Sequence, residues 1–156
     1  MTLENLSKRI EAALAGRLRR VVEEKGLVPA AVLLLLLDRA GPHVLFAKRT
    51  ELVAHHKGQI SFPGGVVERG DGSRLETALR EAREDVEVLG VLDDTETKAT
   101  RFVITPFVGL IREPVSYVPD GEEIEKVVEV PLEALLDPAN FREEQWERDG
   151  AHHPAY

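Results

Sequence analysis

The chain has 156 residues, a length that fits one compact domain and leaves little room for two. Hydrophobic residues make up 43% of it, which argues against wholesale disorder. The 20 Lys and Arg residues against 28 Asp and Glu residues give a net charge of −8. This charge argues against a nucleic-acid partner, because phosphate neutralisation needs clustered cations. The absence of cysteine excludes disulfides, thiolate metal sites and a Cys nucleophile.

The sequence shows no signal for secretion or membrane insertion. The N-terminus lacks a basic segment followed by an apolar run. The longest apolar run, residues 29–37, is far shorter than the ~20 residues that a membrane helix needs. We therefore expect a cytoplasmic protein without a membrane partner, in which this run forms a buried strand.

Residues 1–26 are predicted to form an amphipathic helix. Apolar residues recur at steps of three and four positions, at Leu3, Leu6, Ile10, Leu14, Leu18 and Val21. Gly26 and Pro29 mark the predicted end. The helix either packs on the domain, which we favour, or acts as a dimerisation arm of a homodimer.

The predicted core, residues 30–136, is dominated by strands. Two antiparallel strands at 30–37 and 44–48 are separated by a short turn. The remaining predicted elements are a helix at 75–86, strands at 88–92, 102–111 and 123–130, and a short helix at 131–136. The charged residues 140–156 are predicted to form a mobile tail. This pattern predicts one mixed α/β domain over residues 1–156 rather than a doubly wound parallel sheet.

Three carboxylates in the predicted second helix have the spacing of metal ligands. Glu81, Glu84 and Asp85 stand at i, i+3 and i+4, so a helix would present them on one face. Mg²⁺ and Mn²⁺ prefer such hard oxygen ligands and keep open positions for phosphate oxygens. The alternative is a solvated acidic face, since Arg80 and Glu84 form an ordinary i, i+4 pair. Taken alone, the helix favours that alternative.

The loop before this helix carries two adjacent glycines. Gly64 and Gly65 follow Phe62 and Pro63. Adjacent glycines permit positive φ and a close approach of the backbone, and their N–H groups can face an anion. A glycine turn leading into a carboxylate-lined helix is a more specific combination than either part alone.

Together these residues resemble the Nudix box. The family pattern is Gly, five residues, Glu, seven residues, Arg-Glu, an aliphatic residue, any residue, Glu-Glu, any residue, Gly and an aliphatic residue. This chain has Gly65, five residues, Asp71, and then Arg80-Glu81-Ala82-Arg83-Glu84-Asp85. Asp71 replaces the first Glu and is followed by eight residues instead of seven, Asp85 replaces the last Glu, and Glu87 replaces Gly.

Nudix enzymes of the coenzyme A diphosphatase type resemble this chain further. They often carry Asp at the first acidic position and the one-residue insertion. They also carry an upstream signature that ends in Phe-Pro-Gly-Gly. His56, Gly58, Gln59 and residues 62–65 fall in register with that signature, while Ala54 replaces its Arg. The resemblance covers about residues 30–140.

The resemblance implies a Nudix-fold α/β/α sandwich with a mixed sheet and the Nudix loop-helix-loop. Glu81, Glu84 and Asp85 would hold Mg²⁺ or Mn²⁺, and Arg80 would tie the helix to the loop through Asp71. The candidate catalytic residues are Glu81, Glu84, Arg80 and Glu123. The alternative for Glu123 is a solvent-facing strand residue without a catalytic role. The candidate substrate-binding residues are Arg49, His56, Gln59, Gly64 and Gly65.

The expected activity is hydrolysis of a diphosphate linkage in a small-molecule nucleotide. By resemblance, coenzyme A would be cleaved to 3′,5′-ADP and 4′-phosphopantetheine. Another Nudix substrate such as ADP-ribose or NADH is the first alternative. A Nudix-fold regulatory domain with weak or no catalysis is the second, because Asp85, Glu87 and Ala54 depart from the family patterns.

Overall fold

A computed structural model describes residues 1–52, 58–80, 82, 85–97, 100–112, 121–148 and 151–155. The helices are α1 (Leu3–Ala15), α2 (Arg74–Arg80) and α3 (Leu132–Leu136), and a 3₁₀ turn covers Pro138–Asn140. The strands are β1 (Val28–Asp38), β2 (Pro42–Arg49), β3 (Ile60–Ser61), β4 (Gly64–Val66), β5 (Glu87–Val91), β6 (Thr95–Glu96), β7 (Phe102–Leu110), β8 (Ile124–Pro131), β9 (Glu144–Arg148) and β10 (Ala151–Ala155). In the described part of the chain, no helix has the length and apolar character needed to cross a membrane.

Eight of the strands form one mixed sheet around β1. The main path runs β3-β2-β1-β7-β5, with β4 beside β1, β6 beside β7 and β8 beside β2. The pairing of β1 with β7 is parallel, and the other pairings of this sheet are antiparallel. The predicted pair of antiparallel strands is confirmed as β1 and β2, which pair from Leu35↔Leu45 to Asp38↔Pro42.

The apolar run of β1 contributes to the core on both faces of the sheet. Alternate residues of a strand point to opposite faces. Leu33, Leu35 and Leu37 pack in a cluster with Ala78 of α2. Leu36 lies in a second cluster with residues of α1. Each fully buried leucine stabilises the fold by roughly 2 kcal/mol, and the helices on both faces confirm the predicted mixed α/β sandwich.

Helix α1 is shorter than the sequence predicts. It begins after Thr2, whose Oγ1 accepts a hydrogen bond from the Asn5 N–H at 3.3 Å. It ends at Ala15, with Gly16 at the C-cap. The prediction of a helix over residues 1–26 is therefore wrong beyond Ala15. Gly16 is the end signal that the apolar periodicity obscured, because glycine has a high entropic cost in a helix.

The chain after α1 makes tertiary hydrogen bonds instead of helical ones. Arg19 Nη1 and the Val22 N–H donate to the Asp94 carboxylate, at 2.8 and 3.0 Å. Leu18 and Val21, predicted to belong to the apolar stripe, are exposed. The apolar stripe is therefore limited to the residues of α1 itself, where Leu3 and Leu6 are buried.

The C-terminal residues contain secondary structure that the sequence does not predict. Within residues 140–156, β9 and β10 pair as an antiparallel hairpin from Glu144↔Ala155 to Arg148↔Ala151. The structure thus places a regular hairpin in that part of the chain, and the mobility of residues 140–156 stays a prediction.

Candidate active site

The glycine turn lies directly against β1. Gly64 pairs with Val32 and Gly65 pairs with Ala31, and the Leu33 N–H donates to the Pro63 carbonyl at 2.8 Å. Gly64 has a φ of +150°. A Cβ at Gly64 would overlap the Ala31 carbonyl oxygen and lie 2.6 Å from Val32 Cα. Glycine is therefore required at this position because the backbones of β1 and β4 approach so closely.

An ion pair ties the following loop to α2. Arg80 Nη1 donates to both carboxylate oxygens of Asp71 at 3.0 Å. Arg80 Nη2 donates to the Val66 carbonyl at 2.9 Å, and Nη1 lies 3.1 Å from Glu68 Oε2. The predicted contact between Arg80 and Asp71 is thus present. It holds the end of α2 against the strand that carries the glycines.

Asp71 closes this loop as a hydrogen-bond acceptor. Its Oδ2 accepts from the Glu68 N–H and from Thr77 Oγ1, both at 2.8 Å, and its side chain is only 8% exposed. The Glu68 N–H is the largest cause that lowers the pKa of Asp71, followed by Thr77 and Arg80, while burial opposes them. Asp71 is therefore a carboxylate at neutral pH and stabilises the loop.

The glycine turn forms one wall of a cavity of about 560 Å³, which we call the main cavity. Four of the five predicted substrate-binding residues line it: Arg49, Gln59, Gly64 and Gly65. The apolar part of its wall comes from Ala30, Val32, Phe62, Val66, Phe102 and Ile104. This size and mostly apolar lining are typical of a small-molecule site. The substrate-binding role of these residues stays a prediction.

Arg49 gives the main cavity a cation with an unsatisfied donor. It is the last residue of β2, and its N–H donates to the Gln59 carbonyl at 2.9 Å. Its Nε is buried and has no hydrogen-bond partner among the described residues. Such an unmet donor costs about 1–3 kcal/mol, and an anionic oxygen would satisfy it. The guanidinium group suits phosphate, whose oxygens match its planar donors.

Of the three predicted metal ligands, the structure describes Asp85 alone. Helix α2 ends at Arg80, and Asp85 lies outside any helix, so the predicted helix over residues 75–86 is too long. Glu81 and Glu84 lie outside the described residues. Asp85 lines a separate cavity of about 290 Å³ together with Glu87 and Arg112. Within the described ranges, no group of three His, Asp or Glu side chains is placed to hold a metal ion.

Of the two remaining predicted site residues, the structure describes Glu123 but not His56. Glu123 is exposed and precedes Ile124, the residue of β8 that pairs with Arg49. Its carbonyl accepts a hydrogen bond from the Thr50 N–H at 2.9 Å. Glu123 thus lies near the Arg49 end of the main cavity but is not one of its lining residues. His56 lies outside the described residues.

Sequence reasoning missed one side of the main cavity. Thr97 and Thr100 line it opposite the glycine turn, and Phe102 and Ile104 of β7 complete that side. No local motif identifies these residues. They reach the cavity because β7 pairs with β1 in parallel, from Val28↔Phe102 to Leu36↔Leu110.

Comparison with known proteins gives the family. Residues 26–149 match the NUDIX domain. A Nudix hydrolase NudL from Enterobacter sp. (strain 638), described as uncharacterized, is 34% identical over 160 residues, which cover 98% of this chain and 81% of that protein. The corresponding protein of Cronobacter sakazakii is 37% identical over 131 residues, or 80% of this chain and 68% of that protein.

Solved structures show the same fold. An Ap4A hydrolase of C. elegans in a binary complex has a TM-score of 0.56 at 18% identity, over 74% of this chain and 88% of that chain. A MutT protein from Methanosarcina mazei Go1 has a TM-score of 0.51 at 20% identity, over 78% of this chain and 84% of that chain. These likenesses confirm the predicted Nudix fold. With the sequence matches, they show that this chain belongs to the Nudix hydrolases, enzymes that act on nucleotide diphosphate derivatives and generally use divalent metal ions.

Proposed function

We propose that this Nudix hydrolase cleaves coenzyme A to 3′,5′-ADP and 4′-phosphopantetheine, with Mg²⁺ or Mn²⁺ as the cofactor. The observation that carries the proposal is the main cavity, around which Arg49, Gln59, Gly64 and Gly65 converge. Gln59, Gly64 and Gly65 belong to the upstream signature that resembles coenzyme A diphosphatases. The same signature contains His56, which we assign to substrate binding as well.

The roles of the chain's own residues follow from these positions. Arg49 would donate hydrogen bonds to the diphosphate through its guanidinium group, whose Nε has no partner among the described residues. Gly64 lets β4 lie against β1, Gly65 would let the substrate approach the backbone closely, and Arg80 keeps their strand in place through Val66. The reaction adds water to one phosphorus and breaks its bond to the bridging oxygen, so both products are phosphate monoesters.

The metal would be held by Glu81, Glu84 and Asp85. Their carboxylate oxygens form a donor set of the kind that Mg²⁺ and Mn²⁺ prefer. A bound divalent ion would lower the pKa of the attacking water and neutralise charge on the phosphoryl oxygens. Glu123 is proposed as a further carboxylate near the reacting groups, since it lies at the Arg49 end of the main cavity.

A substrate screen tests the proposal. Purified protein is incubated with coenzyme A, ADP-ribose, NADH or a dinucleoside polyphosphate, with Mg²⁺ or Mn²⁺, and products are identified by mass spectrometry. We expect 3′,5′-ADP and 4′-phosphopantetheine in equal amounts, and a higher kcat/KM for coenzyme A than for the others. Turnover of another compound without turnover of coenzyme A would remove the substrate assignment and leave the hydrolase class intact.

A variant pair tests the metal ligands. Glu84→Gln keeps the size of the side chain but removes its charge, so turnover should fall by at least about 100-fold. Glu11→Gln, on the exposed side of α1, makes the same chemical change far from the glycine turn and should leave turnover unchanged. Equal activity of the two variants would contradict the proposed ligand role of Glu84.

The second candidate function is a regulatory Nudix domain that binds a nucleotide without cleaving it. The position of Asp85 outside α2 favours this candidate, because the predicted metal site needs Asp85 on a helical face. Calorimetry on the same compounds separates the two functions. Tight nucleotide binding with no product under either metal would support the regulatory domain.

Two further proposals concern the setting of the activity. We propose that the protein acts in the cytoplasm and that it can form a homodimer. Light scattering coupled to size-exclusion chromatography measures the mass in solution. A mass of one chain across the accessible concentrations would exclude the homodimer.

A further inference from the structure

A second cavity, of about 650 Å³, lies beside the main cavity. One wall comes from the N-terminal segment, which we define as residues 17–27, and includes Val22 and Lys25. The other wall comes from Glu96, Thr97 and Arg101. Thr97 lines both cavities. A substrate in the main cavity would therefore lie next to the second cavity.

Asp94 fixes the first wall. This residue is fully buried at 0% exposure. Its Oδ1 accepts from Arg19 Nη1 at 2.8 Å and from Thr105 Oγ1 at 2.7 Å, and its Oδ2 accepts from the Val22 N–H at 3.0 Å. Because buried charged hydrogen bonds of this kind are costly to break, the N-terminal segment is held to the domain. Arg74 of α2 holds it at a second point, through Glu24 at 2.9 Å.

Local hydrogen bonds fix the second wall. Thr97 Oγ1 lies 2.6 Å from Thr100 Oγ1 and accepts from the Phe102 N–H at 3.0 Å. The Arg101 N–H donates to the Thr97 carbonyl at 3.1 Å, and Arg101 has a φ of +55°. A left-handed conformation is unfavourable for arginine and persists only where the surrounding structure imposes it. The hydrogen bonds of the turn therefore fix the backbone conformation of Arg101.

The charges of this second cavity identify the kind of group that it can hold. Lys25 is paired with Glu23 at 2.7 Å. Arg101 and Glu96 also line the cavity, and their charged groups form no hydrogen bond or ion pair within the described part of the chain. Among the described residues, Arg101 therefore has donors available to a bound group, and Glu96 has acceptors. A phosphate would meet the Glu96 carboxylate, and like charges repel, whereas a neutral group with both donors and acceptors can satisfy both residues.

We propose that the second cavity binds a neutral, amide- or hydroxyl-bearing portion of the substrate, with Arg101 donating to it and Glu96 accepting from it. The proposal deepens the proposed function and rests on it: in coenzyme A, the neutral portion with amides and hydroxyls is the pantetheine arm. Thr97, shared by both cavities, is the point at which this arm would pass from one to the other.

Binding of two fragments tests the proposal without any hydrolysis. Pantetheine, which is neutral, and 3′,5′-ADP, which carries only phosphates and the nucleoside, are titrated by NMR into the full-length protein. The variants are Arg101→Gln and Glu96→Gln. Their matched controls are Arg9→Gln and Glu11→Gln on α1, outside both cavities.

We expect each cavity variant to weaken pantetheine binding about ten- to a hundredfold, the effect of losing one hydrogen bond to a charged group, and to leave 3′,5′-ADP unchanged. The controls should match the wild type. Weaker binding of 3′,5′-ADP alone would show a phosphate site and overturn the proposal, as would unchanged or undetectable pantetheine binding. If pantetheine depends on Arg101 and Glu96 but coenzyme A is not cleaved, the second cavity stands and the proposed reaction fails.

Discussion

Gly64→Ala is the substitution that the structure predicts to be most damaging at the glycine turn. The new Cβ would overlap the carbonyl oxygen of Ala31 and lie 2.6 Å from the Cα of Val32. Both are backbone atoms of β1, so no side-chain rotation relieves the contact. Gly65→Ala is the matched control, because its Cβ would meet only Arg80 Nη2, at an ordinary 3.7 Å.

The expected magnitude combines two costs. A side chain at a φ of +150° is strained by about 1–2 kcal/mol. The overlap with β1 adds about 1–3 kcal/mol, the usual cost of overpacking. The free energy of unfolding should therefore fall by about 2–5 kcal/mol for Gly64→Ala. The fall should be below about 1 kcal/mol for Gly65→Ala, as for a site with space for a methyl group.

Urea denaturation followed by far-ultraviolet circular dichroism measures both values. Steady-state turnover of the same samples shows whether the folded fraction keeps its activity. Equal unfolding free energies for the two variants would refute the argument that the close approach of β1 and β4 requires glycine at position 64. A larger loss for Gly65→Ala would refute the assignment of the tight contact to Gly64.

Four further outcomes follow from the site and the surrounding hydrogen bonds. Arg49→Met should raise KM for the nucleotide substrate about tenfold with little change in kcat, because the lost contact is to a phosphate present throughout the reaction. Asp94→Asn should lower the unfolding free energy by about 2–3 kcal/mol, since it removes a buried charge paired with Arg19, and thermal denaturation measures it. Chelation by EDTA should abolish turnover, and added Mg²⁺ should restore it. The folded-state pKa of Asp71 is lowered, so its stabilisation is present above the unfolded pKa of about 3.9 and is lost as the pH falls through the folded value. Asp71→Asn should therefore lose less stability than the wild type between pH 7 and this acidic range.

For each of these four predictions, a specific result would contradict the reasoning. An unchanged KM in Arg49→Met would place the diphosphate elsewhere. Unchanged thermal stability of Asp94→Asn would mean that the N-terminal segment is held by other contacts. Full activity in EDTA would contradict the metal requirement, and parallel pH curves of wild type and Asp71→Asn would show that this carboxylate does not link stability to acid.

The longer strands of the main sheet were predictable because burial leaves a strong pattern in them. The apolar run of β1 is buried on both faces, and the turn before β2 carries Gly41, directly followed by Pro42, so both strands are recognisable from sequence. The N-terminal helix was predicted too long because Leu18 and Val21 continue its apolar spacing by coincidence. Their exposure follows from hydrogen bonds to Asp94, a residue distant in sequence.

The candidate site was predictable where it depends on local sequence. The glycine turn and the contact between Arg80 and Asp71 are formed by residues close along the chain, and the family pattern contains both. The threonine side of the main cavity was not predictable, because Thr97 reaches it only through the pairing of β6 with β7 and of β7 with β1. Side chains brought together by sheet topology leave no short motif.

The parallel pairing of β1 with β7 also affects how the protein folds during translation. Val28 pairs with Phe102, and the glycine turn and α2 lie in the chain between them. Contacts between such distant positions form slowly. During translation, one edge of β1 has no partner until β7 has left the ribosome, and an unpaired apolar strand invites association with other chains. We therefore expect ribosome-bound chains that end before residue 102 to recruit a chaperone, and the main cavity to appear only in longer ones.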